Sequence, residues 1–498
     1  MDPSGSCEGG STRRTLLTTL GVGATTIPLA GCSEDTDNES PAVTPTQSPD
    51  STPTETLKTE EDDLSWEEIS NVQIETDDEV TRALAVEFDE VIIEDVNVQS
   101  AIQKAIDGVG FGGTVEIMAG TYYIEDSPLR ISEGVTLLGQ GPGETVFKLP
   151  NGVHQDAHSI LEVTSGADDV TIRDLEIDGN EANNRDIEPF PDSPHSHGLL
   201  IHESRDGVKP KRTTVENIYI HDTIRSNIVL AGIDCTIDTA KLANSATDHW
   251  LYLARAEQCS VNNIRASGFA REGIVFSTSG HKAVDNTISD LVIEDAKRTP
   301  FDEAVGRENL DAIAPLGPIV FRPDGEGRGN IIRDVEIRPP EDDISHMVRV
   351  NQPDAKIEGL TITGPVGYTH AVISAGNSTT FDSLAGTTIS GVTLNVESSG
   401  DRDFNTALFD ISRSDIVIED VTVNQKVDDF FGFRIAARHG PISDCEIRNV
   451  DMRSGREAVF VDGNEYAVTN LAIGDFRDHL DSGVNTQGDV EFDTKTIE

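Results

Sequence analysis

The chain has 498 residues, 36% hydrophobic and 26% charged, with 89 acidic against 38 basic residues and a formal net charge of −51. The apolar share suits a folded protein, and the charge argues against nucleic acid or an anionic membrane surface as partner, since both would repel it. The length exceeds one ordinary globular core, a limit that a solenoid growing in one direction escapes.

Residues 1–32 read as a targeting segment. Arg13-Arg14, Thr15-Leu16-Leu17 and a Gly/Thr-rich apolar run to Ala30 resemble a twin-arginine signal, an address read by a receptor. Leu29-Ala30-Gly31-Cys32 resembles a lipobox, with Cys32 as the residue that takes lipid. The apolar run is short for a membrane span, which needs about 20 residues. The expectation is an exported monomer held by an N-terminal lipid on the outer face of the cytoplasmic membrane. Residues 33–63, rich in Ser, Thr, Pro, Asp and Glu, cannot bury enough surface to offset their ordering entropy and read as a flexible stalk. Abundant acids with 11 lysines against 27 arginines resemble the proteins of salt-loving archaea; an ordinary acidic exported protein is the alternative. Residues 64–96 read as a lead-in to the folded part.

Asn97 opens a helix, with Val98, Ala101, Ile102, Ala105, Ile106 and Val109 on one apolar stripe and Gly108 and Gly110 near its end. Gly112-Gly113-Thr114-Val115-Glu116-Ile117 and Ala119-Gly120-Thr121-Tyr122 follow as a glycine turn, a strand and a second turn. Together with Ala101-Ile102-Gln103-Lys104-Ala105-Ile106, these motifs resemble the entry to the pectate-lyase superfamily of right-handed parallel β-helices. The Gly-Asp-Gly and paired aspartates often found before the helix in that superfamily are absent. The resemblance implies an all-β solenoid of about ten coils over residues 97–475, with the helix capping its open end. The superfamily holds lyases, hydrolases, epimerases, esterases and non-catalytic spikes, so it speaks to fold more than to reaction.

The coils show in a recurring polar residue or glycine, then an aliphatic, any residue, and an aliphatic or small residue. Examples are Asp174-Leu175-Glu176-Ile177, Asn217-Ile218-Tyr219-Ile220, Asn263-Ile264-Arg265-Ala266, Asp334-Val335-Glu336-Ile337 and Asn470-Leu471-Ala472-Ile473. The alternation is that of strands with one face inward, and the leading residue suits a tight turn. Residues 178–195 and 295–316 break the rhythm and are expected to wall a groove. Residues 476–498 read as an acidic tail with no role.

A second device marks the functional face. Ser196-His197, Arg225-Ser226, Asp248-His249 and Arg271-Glu272 each precede a short apolar strand and start 29, 23 and 23 residues apart. On successive coils about 4.8 Å apart, His197, Arg225, Asp248, His249, Arg271 and Glu272 form a ladder and are the candidate catalytic residues. In a uronate lyase or epimerase, the arginines would hold a substrate carboxylate and His249 or His197 would act as base. In a hydrolase, Asp248 and Glu272 would be acid and base, at a spacing that suits retention. The Arg-x-Lys motif of the polygalacturonase branch is missing. Asp178, Asn180 and Asn183 offer oxygen ligands for calcium; an Asx turn bonded to its own backbone is the other reading. Cys235, Cys259 and Cys445 form no disulfide framework and read as small buried hydrophobes, with Cys235 and Cys259 stacked on neighbouring coils. The sequence shows no nucleotide-binding glycine loop, zinc motif or nucleophile elbow in context. The expected partner is a polysaccharide, cleaved or modified; a non-catalytic glycan-binding or structural solenoid is the alternative.

Overall fold

The structure, a computed structural model, describes residues 65–498 apart from 78–79, 126, 153–158, 185–196, 270–271, 278–279, 281, 295–316, 324–326, 340–345, 367–370, 399–406, 425–429, 454–455, 480–482 and 498. The targeting segment with Cys32, the stalk, the 295–316 excursion and Arg271 lie outside the described residues. So does most of the 178–195 excursion.

Helix α1 (Val98–Gly108) is capped by Asn97, whose side chain accepts from the Ser100 amide at 2.7 Å. It buries Ala101, Ile102, Ala105 and Ile106, the stripe that its spacing predicts. Gly108 lets the Trp66 ring pack on the helix; a Cβ there would sit 2.3 Å from the ring. Residues 64–96 are more than a lead-in. Asn71–Thr76, Thr81–Ala85 and Glu90–Asp95 form an antiparallel meander. Its first strand pairs in parallel with Thr114–Ile117 and so joins the solenoid. Flanking charges mask its alternation in the sequence.

From there nearly every pairing is parallel and joins equivalent positions of successive coils. In the front sheet Ser159–Val163, His197–Ile201, Ile228–Leu230, Leu251–Leu253, Glu272–Phe276, Gly317–Phe321 and Val348–Val350 follow one another. Ala371–Ala375, Ala407–Ile411 and Phe431–Ala436 continue it, leading into Val459–Asp478 and Val484–Ile497. Among the described residues the coils number slightly more than the roughly ten expected. One cause is the end of the chain, where the segment read as a tail carries the strand Val484–Ile497, paired in parallel with Val459–Asp478.

The remaining strands bend rather than stop. Thr214–Thr223, Thr236–Ser245 and Ser260–Phe269 pair on both sides of a residue with positive φ: Asn217, Thr239 and Asn263. Asp174, Asp290, Asp334, Gly359, Gly391, Asp420 and Asn449 take the same place in other coils. Short polar residues and glycine tolerate this left-handed conformation, so they recur there. Asn470 does not belong to this column. Its side chain bonds Asp444 at 3.0 Å, at the turn that leaves the front sheet, and the equivalent of Asn449 one coil later is Asp475. The interior is one continuous stack of aliphatic and aromatic residues, including stacked Phe276–Phe321 and Phe409–Phe433. Among the described residues no helix is long and apolar enough to cross a membrane.

Candidate active site on the front sheet

Strand register places the predicted pairs side by side. Leu199, Ile228, Leu251 and Ile274 occupy one series of paired positions, so His197, Ser226, His249 and Glu272 stand two places before them, and Arg225 and Asp248 three. The ladder read from sequence is thus a ladder in space, with Arg271 outside the described residues.

Its centre is His249, which is 3% exposed. His249 Nε2 lies 3.2 Å from Asp248 Oδ1. On the other side Nδ1 lies 3.1 Å from the Glu272 backbone carbonyl oxygen and 3.6 Å from Glu272 Oε2. Both ring nitrogens therefore face acceptors, which a ring donating from both nitrogens satisfies; a neutral imidazole has one N–H. Arg225 Nη1 approaches Asp248 Oδ2 at 3.9 Å. The Tyr252 ring is tilted against His249 with centroids 5.4 Å apart, and Tyr252 is only half-buried.

Glu272 is fully buried. A carboxylate in that place needs a partner, because desolvation costs several kcal/mol per ion. The partner is Arg322, whose Nε donates to Oε1 at 3.1 Å and whose Nη2 donates to Oε2. Burial works against the charge on Arg322, and Glu272 and Asp248 outweigh it, so its pKa is raised. Glu272 thus has both carboxylate oxygens engaged by Arg322 and stands beside the His249 ring. Arg322 and Tyr252 were not singled out from the sequence. Tyr252 was legible as the outward residue of Leu251-Tyr252-Leu253. Arg322 follows its strand at Phe321, away from the strand heads that carry the repeat. His197 lies two coils before His249, about 10 Å by strand spacing.

The proposed calcium ligands are otherwise engaged. Asp178 Oδ1 accepts from the Asn180 amide at 2.7 Å and Oδ2 takes the Lys148 ammonium at 2.5 Å. Asn180 donates to the Leu149 carbonyl and to Asn151 Oδ1, both at 2.8 Å, while its own Oδ1 accepts from Asn183 at 2.7 Å. This is the Asx-turn arrangement. Asp178 instead gathers with His221 and Asp222, with one ligand atom of each within 4.8 Å of the others. That group is an ion-pair network: His221 Nδ1 meets Asp222 at 2.7 Å and Nε2 meets Glu176 at 3.1 Å. An imidazole and an ammonium among the carboxylates do not suit calcium, which takes oxygen ligands.

No protein-family model matches the chain. Mannuronan C5-epimerase AlgE5 of Azotobacter vinelandii is 38% identical over 94 residues, which cover 17% of this chain and 9% of that protein. Alginate lyase 7 of the same organism is 39% identical over 93 residues, covering 17% and 11%. The chain thus matches about a tenth of the length of these relatives. Among solved structures, the catalytic domain of a GH87 alpha-1,3-glucanase in complex with nigerose superposes with a TM-score of 0.50 at 14% identity, covering 78% of this chain and 67% of that one. Parallel coils in register, a bend in each coil through a left-handed residue and this likeness agree: the chain has a right-handed parallel β-helix fold.

Proposed function

We propose that the chain is a polysaccharide-modifying enzyme whose front-sheet site removes the proton on the carbon beside a uronic-acid carboxylate. The observation that carries this reading is His249, held between Asp248 and the Glu272 carbonyl with an acceptor at each ring nitrogen. With a proton on each ring nitrogen, a histidine so placed steadies developing negative charge and leaves the role of base to another group. Tyr252, half-buried at its side, is the group placed to take the proton. Arg225 neutralises the sugar carboxylate by charge-assisted hydrogen bonds, which makes the neighbouring carbon acid stronger. Arg322 pairs with the buried Glu272 carboxyl, and Glu272 holds His249 in place.

The carbanion so formed has two fates. Loss of the glycosidic oxygen from the adjacent carbon completes an elimination; return of a proton to the other face inverts the centre. An epimerase and a lyase are the activities named among the relatives, and proton removal begins either one. Calcium at Asp178, Asn180 and Asn183 has no step in this scheme. The same reading sets the enzyme outside the cell, on the strength of Arg13-Arg14 and Cys32; a Cys32→Ser chain should be released from membranes, and one retained there would contradict the anchor.

Tyr252→Phe and His249→Asn should each lower turnover on a polyuronate by about 100-fold or more, the usual worth of a positioned proton-transfer group. Hydrolysis that survives both changes and is lost in Asp248→Asn would favour a glycosidase instead.

A further inference from the structure

Cys235 and Cys259 occupy one place on successive coils. The residues after them, Thr236 and Ser260, are paired in register, and the Ser260 amide donates to the Cys235 carbonyl at 2.9 Å. Neighbouring strands lie about 4.8 Å apart, inside the Cα separation of roughly 4.4–6.8 Å that a disulfide spans. Both side chains are buried, and both sulfurs converge on one glycine. A Cβ on Gly232 would meet Cys235 Sγ at 2.5 Å, and Cys259 Sγ lies 3.5 Å from the Gly232 carbonyl oxygen. Each thiol also reaches a carbonyl two residues before it: Cys235 the Ile233 oxygen at 3.5 Å, Cys259 the Glu257 oxygen at 3.4 Å.

The column they belong to is a stack of inward side chains. Register continues it from Cys259 through Asn286, Asn330, Ala355, Thr387 and Ile416 to Cys445. Asn286 Oδ1 accepts from the Cys259 amide at 3.0 Å, Asn286 Nδ2 donates to Asn330 Oδ1 at 2.9 Å, and Asn330 Nδ2 donates to Gln352 Oε1 at 2.9 Å. Below the cysteines the coils are thus tied to one another by amide hydrogen bonds. Cys235 and Cys259 hold the corresponding step one coil earlier. Cys445 is six coil steps from Cys259, far beyond the reach of a disulfide.

We propose that Cys235 and Cys259 are a disulfide site, a covalent tie between adjacent coils that forms when the chain folds in the presence of a small-molecule disulfide. One thiolate attacks the oxidant, giving a mixed disulfide and one free thiol; the second thiolate then displaces the other half. Two thiol protons are lost, the two cysteine sulfurs are oxidised, and the oxidant is reduced to two thiols. Because both thiols are buried in the folded chain, the tie forms during folding and is slow to form or break afterwards.

The test is to refold the full chain with an excess of oxidised glutathione or with reduced glutathione alone, block free thiols, and map peptides without reduction. The proposal expects the oxidised sample to contain a peptide pair joined through Cys235 and Cys259, with Cys445 blocked as a free thiol or capped by glutathione. It also expects a higher urea midpoint than the reduced sample, a difference absent in Cys259→Ala. Cys235 and Cys259 recovered as free thiols from correctly folded oxidised protein would overturn it. So would pairing of either one with Cys445, or a joined pair with a lowered midpoint, since the coils would then be strained rather than tied.

Discussion

His221 shows how a residue outside the candidate site couples charge to stability. It stacks on Tyr219, with centroids 4.3 Å apart. Burial opposes its charge, but the hydrogen bonds to Asp222 and Glu176 outweigh burial and raise its pKa above 6.5. A histidine raised on folding stabilises the fold in full below its unfolded value, and that contribution is lost as pH rises through the folded value. Urea midpoints on both sides of neutrality should therefore fall with rising pH in the wild type, and less steeply in His221→Leu. Equal slopes for the two proteins would show that His221 gains no charge stabilisation from its neighbours. In the candidate site Arg322 is the residue to change first. Arg322→Met strands the fully buried Glu272 carboxylate, and removal of one partner from a buried pair typically costs about 3–5 kcal/mol. The double change Arg322→Met with Glu272→Gln should recover most of that stability without recovering turnover. Recovery of both would reduce the pair to a structural role.

At the scale of the element, the coil is a unit whose inward face is part apolar, part amide ladder. Asn330 is fully buried and donates to the Ala283 carbonyl and to Gln352 while accepting from Asn286. Asn330→Ala leaves those groups without it and should cost about 1–3 kcal/mol, read as a lower urea midpoint; an unchanged midpoint would mean that water replaces the amide at no loss. Further along the front sheet Asp410 and Arg434 repeat the buried bidentate pair, with Nε–Oδ1 at 3.0 Å and Nη2–Oδ2 at 2.8 Å. Sequence made part of this visible. The polar residue that heads each bent strand is legible because the left-handed conformation filters residue types, which is why Asn217, Asn263 and Asp334 stood out and Thr239 did not. The heads of the front strands are legible because their spacing is nearly constant from Arg225 to Arg271. Beyond that, Glu272 pairs with Gly317, so the 295–316 excursion separates Arg322 from its carboxylate in sequence while one coil separates them in space.

At the scale of the molecule, growth in one direction explains how a chain with a net charge of −51 stays folded. Each coil stacks apolar residues inward and keeps acidic residues at its turns, where solvent and salt screen them. It also explains which expectations held. Architecture depends on a repeat that sequence displays many times over, so errors in single coils, such as Asn470, do not matter. The site depends on a few side chains whose orientation is set by register across coils of unequal length. Arg225, Asp248, His249 and Glu272 therefore stand together as their spacing suggested, while Arg322 and Tyr252, which join them in space, carry no repeat signal in the sequence.

The central claim is that the front-sheet site removes a carbon-bound proton beside a carboxylate. Proton NMR of a polyuronate incubated with the enzyme in heavy water tests it most directly, because elimination and epimerisation both erase the signal of that proton. The account predicts that the signal fades with the wild-type chain and persists with Tyr252→Phe. New reducing ends with the signal intact, or a polymer that is bound and left unchanged, would contradict it.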